Sequence, residues 1–181
     1  MSTTYTLHLG PVTRDLPIVP ISDHLAIASF VLLGDAELTD YAATALAKRL
    51  PADFDYLVTM ESKGIPLAQE ISRLTNRAHF VVLRKSQKDY MATPLSVPVT
   101  AITTSAPQRL FLDGNDATRL AGKRVVIVDD VISSGGSLKA AATLLDQAGA
   151  QVVGQFAILA EGDATDRQDI QYLAELPLFP F

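Results

Sequence analysis

The residues of this chain best suited to chemistry are two adjacent carboxylates followed by a run of serines and glycines. Asp129 and Asp130 directly follow four β-branched residues, Val125 to Val128, and the chain soon reads Ser133, Ser134, Gly135, Gly136, Ser137. Small residues let backbone N–H groups come close to an anion, and a helix starting there aims its unpaired N–H groups at it. Carboxylates beside a phosphate repel it unless sugar hydroxyls or a metal ion lie between. The pair therefore suits a phosphorylated sugar, with Asp129 and Asp130 accepting from a diol and Mg²⁺ close by. Neighbours on a strand point to opposite faces, so the two acids are not expected to share a proton. The competing interpretation is an ordinary buried strand with an acidic, glycine-containing turn. No Gly-Lys-Ser/Thr ending and no Gly-x-Gly-x-x-Gly opens the helix, which disfavours a triphosphate P-loop and a dinucleotide fold.

These residues need elements to hold them. Val125 to Val128, apolar on both faces, predicts a strand buried in a parallel sheet and ending at the acids. Leu138, Ala141, Leu145 and Ala148 predict the helix beyond, stopped by Gly149. A second strand–loop–helix joint is expected from Asp55–Met60, through Glu61, Ser62, Lys63 and Gly64, into a helix over Leu67–Leu74. A third strand, His79–Leu83, runs into Arg84, Lys85 and Lys88, cations that suit a polyanion but could equally form a solvated charge run. Leu38–Leu50 predicts a helix capped by Thr39 or Asp40 and ended by Pro51. Gln151–Leu159 predicts a strand leading to Glu161, and Tyr5–Leu9 alternates like an edge strand. Strands alternating with helices predict an α/β protein: a Rossmann-like parallel sheet flanked by helices.

Composition narrows the classes. The 181 residues suit one domain, and 48% hydrophobic with 19% charged residues describes a globular chain. Cysteine is absent, so neither disulfides nor thiolate metal sites are available, which suits a cytoplasmic location. The N-terminus lacks the basic start and apolar core of a secretory signal, and no apolar run is long enough for a membrane span. A net charge of −5 without a lysine or arginine block argues against nucleic acid as a partner.

Val125 to Ser137 resembles the phosphoribosyl-pyrophosphate motif of type I phosphoribosyltransferases: apolar strand, Asp-Asp, then Ser/Thr-Gly-Gly-Ser/Thr. Weaker likeness spans most of residues 15–163 and points to the purine branch, near the adenine and xanthine enzymes. The resemblance implies one domain over 1–181, with a hood of about 1–35 plus 160–181 over the nucleobase and an antiparallel flap of about 86–112. It implies Asp129, Asp130, Arg84 and Lys85 as catalytic, and Ser133, Ser134, Gly135, Gly136 and Ser137 for the 5′-phosphate. Glu61, Ser62, Lys63, Gly64 and Lys88 would serve pyrophosphate; Glu161 and His24 would face the base. Mg²⁺ is the implied cofactor, reaching Asp129 and Asp130 through water, and a homodimer the implied assembly. Adenine is the first-choice base, with xanthine or hypoxanthine as the alternative. Residues 86–112 contain no glutamate, a residue the adenine enzymes carry in the flap. A non-catalytic phosphoribosyl-pyrophosphate sensor controlling transcription is the rival from another class, disfavoured by the lack of a basic face or appended DNA-binding motif.

Overall fold

A computed structural model describes residues 3–99 and 108–181. The chain opens with three antiparallel strands, β1 (Thr4–Leu9), β2 (Val12–Ser22) and β3 (Leu25–Ala28), followed by helix α1 (Ala36–Ala47). Then come β4 (Tyr56–Met60), α2 (Ile65–Leu74) and β5 (Phe80–Leu83), and the hairpin β6 (Leu95–Val99) and β7 (Gln108–Leu112). Helix α3 (Gly114–Leu120), β8 (Arg124–Ile132), α4 (Gly136–Gln147) and β9 (Gln151–Glu161) follow. A 3₁₀ turn (Gly162–Asp166), β10 (Gln171–Leu176) and β11 (Leu178–Pro180) complete it.

The centre is a five-stranded parallel sheet in the order β10-β9-β8-β4-β5. Strand β8 lies in its middle and alternates between two cores. Val126 and Val128 join Leu38, Leu46, Leu67 and Ile71 from α1 and α2 on one face. Val125 and Ile127 join Leu138, Leu144 and Leu145 of α4 on the other. Burial on both faces is why this strand reads as continuously apolar. Its pairing with β9 continues through Asp129 opposite Ala157 to Ile132 opposite Ala160, so both acids lie inside the strand rather than at its expected end.

The segments expected to form the hood build a four-stranded antiparallel sheet, β1-β2-β3-β11, whose last strand comes from the far end of the chain. Phe179 packs edge-on against Tyr5 with ring centroids 6.0 Å apart. Helix α1 starts earlier than expected because Asp35 is its cap, accepting from the Leu38 N–H at 3.1 Å. The same carboxylate holds Arg14 of β2 at 2.7 Å, tying the hood to the core. In the hairpin expected as the flap, Val97, Leu110 and Leu112 are buried in the α4-side core; residues 100–107, all within that expected flap, lie outside the described residues. Among the described residues, no helix is long and apolar enough to cross a membrane.

Candidate active site

Three strand ends meet at one edge of the parallel sheet. At the first, β8 passes into α4 through Ser133, Ser134 and Gly135. Gly135 adopts φ +74°, the left-handed region open to glycine, and α4 begins with no side-chain cap. Among the described residues the N–H groups of Ser133 to Ser137 have no backbone carbonyl partner, and these five residues line a small cavity of about 80 Å³. Met60, Asp129, Ile132 and Leu138 complete its lining. Unpaired amides at the start of a helix around a cavity of this size are chemically suited to a small tetrahedral anion.

The acids point apart, as period-two geometry requires. Asp130 is buried, and its Oδ2 lies 2.9 Å from the Lys63 Nζ. Asp129 faces the small cavity, with its Oδ1 accepting from the Asp130 N–H at 3.0 Å. Burial, and then the Asp130 charge, push the Asp129 carboxyl well above the usual carboxylate range, with Lys63 pulling the other way. Protonation is thereby made easier, and cations or hydroxyl donors would hold the charged form.

At the second joint, β4 passes into α2 through Glu61, Ser62, Lys63 and Gly64, and the Glu61–Ser62 peptide is cis. The N–H groups of Ser62, Lys63 and Gly64 make no hydrogen bond among the described residues. A Cβ on Gly64 would collide with the Thr59 Oγ1 and lie 2.8 Å from the Asp129 Oδ1, so this loop packs directly on the acid pair. The Lys63 Nζ also donates to the Phe30 carbonyl at 3.2 Å, just beyond β3 of the hood. At the third strand end, Arg84 turns inward. It pairs with Glu61 at 3.1 Å and donates to the Tyr90 hydroxyl at 2.6 Å. The Lys85 N–H donates to the Glu61 Oε2 at 2.9 Å, and Lys88 donates to the Ser86 hydroxyl at 2.6 Å. The Arg84 guanidinium, then the Lys85 N–H, hold the Glu61 carboxyl below the usual range. Glu61 is thus spent on organising the cations around it.

Beside the small cavity a wider cleft of about 550 Å³ opens beneath the antiparallel sheet. Ile21, Leu25, Ile27 and Leu178 give it an apolar wall, while Glu161, Gly162 and Asp163 close the sheet side. Ser133 and Ser134 line both cavities, so the two adjoin. Burial raises the Glu161 carboxyl and the Lys63 ammonium opposes that shift. His24 sits exposed in the β2–β3 turn and does not line the cleft. Arg167 escaped sequence reasoning because it lies in a charged, outwardly solvated stretch, 163–171. Its Nη1 occupies the space a Cβ on Gly135 would need, while Nε and Nη2 bind Asp169 at 2.8 and 2.6 Å. Only its place just after the strand carrying Glu161 could have signalled it.

No cluster of three or more His, Cys, Asp or Glu side chains capable of holding a metal occurs among the described residues. Among the carboxylates, Asp129 lines the small cavity and its strand neighbour Asp130 is buried beside it in sequence.

Comparison with known proteins gives a consistent family. A family model described as phosphoribosyl transferase domain matches residues 34–174. A hypoxanthine/guanine phosphoribosyltransferase of Methanococcus voltae is 34% identical, covering 94% of this chain and 89% of its own. One from Methanocella paludicola is 30% identical over 87% of this chain and 78% of its own. Among solved structures, adenine phosphoribosyltransferase from Thermoanaerobacter pseudethanolicus superposes with TM-score 0.71 at 24% identity, covering 88% of this chain and 95% of that one. The enzyme of that name from Saccharomyces cerevisiae gives 0.67 at 18%, covering 95% and 92%. At those identities the structural likeness speaks for the fold, which is that of the type I phosphoribosyltransferases.

Proposed function

The chain belongs to the phosphoribosyl transferase family, and from that premise we propose that it transfers phosphoribose from phosphoribosyl pyrophosphate to a 6-oxopurine, guanine or hypoxanthine. The bond from the anomeric carbon to the pyrophosphate oxygen breaks, a ring nitrogen of the purine takes its place, and that nitrogen loses its proton. The observation that carries this reading is the junction of two cavities: an amide-lined phosphate seat sharing Ser133 and Ser134 with an apolar cleft that holds a carboxylate.

Positive charge builds on the ribose as the leaving group departs, so catalysis consists of stabilising that charge and the pyrophosphate together. Asp129 and Asp130 would accept from the ribose hydroxyls and supply negative potential. The Ser133–Ser137 amides would fix the 5′-phosphate, and those of Ser62, Lys63 and Gly64 would meet the pyrophosphate. Arg84, Lys85 and Lys88 lie at the adjoining strand end, ready to neutralise it once substrate competes with Glu61. The sparse carboxylate set fits Mg²⁺ held mainly by substrate oxygens and water, with Asp129 and Asp130 as its contacts through water. When bound, the ion would offset charge on the leaving group. Closure of the flap would keep water from the same carbon. We place the reaction in the cytoplasm and in a homodimer, by likeness to the family.

Base choice moves away from the adenine first expected from sequence. Guanine and hypoxanthine present an N1–H donor, and guanine adds a 2-amino group; adenine offers a lone pair at N1. Burial raises the Glu161 carboxyl and Lys63 opposes that shift; in its charged form this side chain only accepts, which suits a donor and repels a lone pair. The named relatives point the same way. Pyrophosphate release should be measured with guanine, hypoxanthine, xanthine and adenine in turn. Guanine and hypoxanthine should exceed adenine at least about 10²-fold in kcat/KM, because a misdirected buried hydrogen bond is strongly discriminated against. Glu161→Gln should shrink that ratio about tenfold. Equal rates with adenine would sink the reading.

A further inference from the structure

Lys63 does something a leaving-group cation would not. It sits in the loop joining β4 to α2, yet its ammonium is 2.9 Å from the Asp130 carboxylate on β8 and 3.2 Å from the Phe30 carbonyl at the exit of the hood. Only 6% of the Asp130 side chain is exposed, against 42% of Lys63. A carboxylate that deep is costly without a counter-charge, and removing the partner of a buried ion pair is strongly destabilising to the charge left behind. No other cation pairs with Asp130 among the described residues. The neighbouring Gly64 presses on Asp129, so a single loop supports both acids, one by its side chain and one by its backbone.

We propose that Lys63 is a positioning residue for the transfer reaction, holding Asp130 in place for the ribose hydroxyls and fastening the hood to the sheet at Phe30. The inference rests on the function proposed above but concerns the sugar half of the site rather than the base or the pyrophosphate. It separates two roles that one lysine could play. As a leaving-group cation, Lys63 would matter for pyrophosphate; as a positioning residue, it matters for a ligand with a diol and a phosphate but no pyrophosphate.

Calorimetric titration of the full chain with ribose 5-phosphate, and separately with magnesium pyrophosphate, distinguishes them. Lys63→Met should weaken ribose 5-phosphate at least about tenfold, the scale of a lost partner to a buried charge, and leave pyrophosphate within about threefold. Lys63→Arg should recover most of the sugar affinity, since the charge returns even though the head group changes shape. Adding Asp130→Asn to Lys63→Met should cost little beyond Asp130→Asn alone. Should the methionine variant fail to fold, Lys63→Gln takes its place in the same comparison. Pyrophosphate affinity falling while ribose 5-phosphate stays within twofold overturns the proposal, and so do losses that simply add in the double variant. Because neither ligand carries a base, a parent protein that binds both yet transfers to no purine would defeat the function proposed above and leave this comparison readable.

Discussion

The two loops that leave the centre of the sheet, β8 to α4 and β4 to α2, have the same form but opposite states of satisfaction. The first is open: Gly135 turns left-handed, α4 begins uncapped, and the Ser133–Ser137 amides face a phosphate-sized cavity. The second is crowded. Gly64 abuts Thr59 and Asp129, Lys63 is committed to Asp130, and Glu61 is committed to Arg84 and Lys85. Under the proposed function, the open loop would receive the group that stays bound from substrate to product. The crowded one, with Lys63 held on Asp130, would meet the leaving group through its backbone amides and the cations around Glu61.

That contrast can be broken or sharpened by substitution. The largest effect is expected at the acids beneath both loops. Asp129→Asn with Asp130→Asn should lower kcat/KM on the order of 10²-fold or more, typical of lost electrostatic stabilisation, as read by initial rates of pyrophosphate release. Turnover within threefold of the parent would remove them from the reaction. Next comes the open loop. Gly135→Ala forces a Cβ into left-handed backbone and onto Arg167, and should raise the KM for phosphoribosyl pyrophosphate about tenfold, the equivalent of roughly 1–2 kcal/mol. Gly122 has a similar φ of +71° but nothing within 4 Å of the added atom. Gly122→Ala should therefore cost only stability, about 1 kcal/mol, and leave KM unchanged.

The smallest effect belongs to the crowded loop and shows in stability against pH. Glu61 is held below its ordinary value of 4.5, so it binds fewer protons folded than unfolded in that range. Its contribution is complete above about 4.5, where even the unfolded carboxyl is charged, and fades as pH falls through the lower folded value. Glu61→Gln should lower the melting temperature by about 2–4 °C at pH 7 and by progressively less below pH 4.5, followed by thermal melts across that range. A difference that grows on acidification would show that Glu61 is not held as a charged acceptor.

The same contrast explains what sequence could convey. The open joint does its work with main chain and small residues in one contiguous stretch, so Val125–Ser137 announces it directly. The crowded joint depends on partners far along the chain. Nothing local to Lys63 says that it will reach Asp130 and Phe30, or local to Arg84 that it will turn toward Glu61 and Tyr90. The parallel sheet was legible because strands buried on both faces are apolar throughout. The hood was less so: β2 carries Pro17 and Pro20, which interrupt the usual strand signal but are tolerated there. Helix α3 is seven residues starting at Gly114, too short for a periodic pattern, and its cap Asp113 reads as part of a turn. The long strand through Asp129 and Asp130 was cut short because charge usually marks a strand's end, and here pairing with β9 carries it on.

One consequence of the hood's construction concerns the order of assembly. Strand β11 pairs with β3, joining segments from opposite ends of the chain, whereas β8, α4 and β9 are consecutive and pair with short closures. Contacts between distant segments form late, since a long loop must be closed before they are gained. A nascent chain would thus complete the β8–α4 joint, with its glycine turn, before the antiparallel sheet that covers the neighbouring cleft.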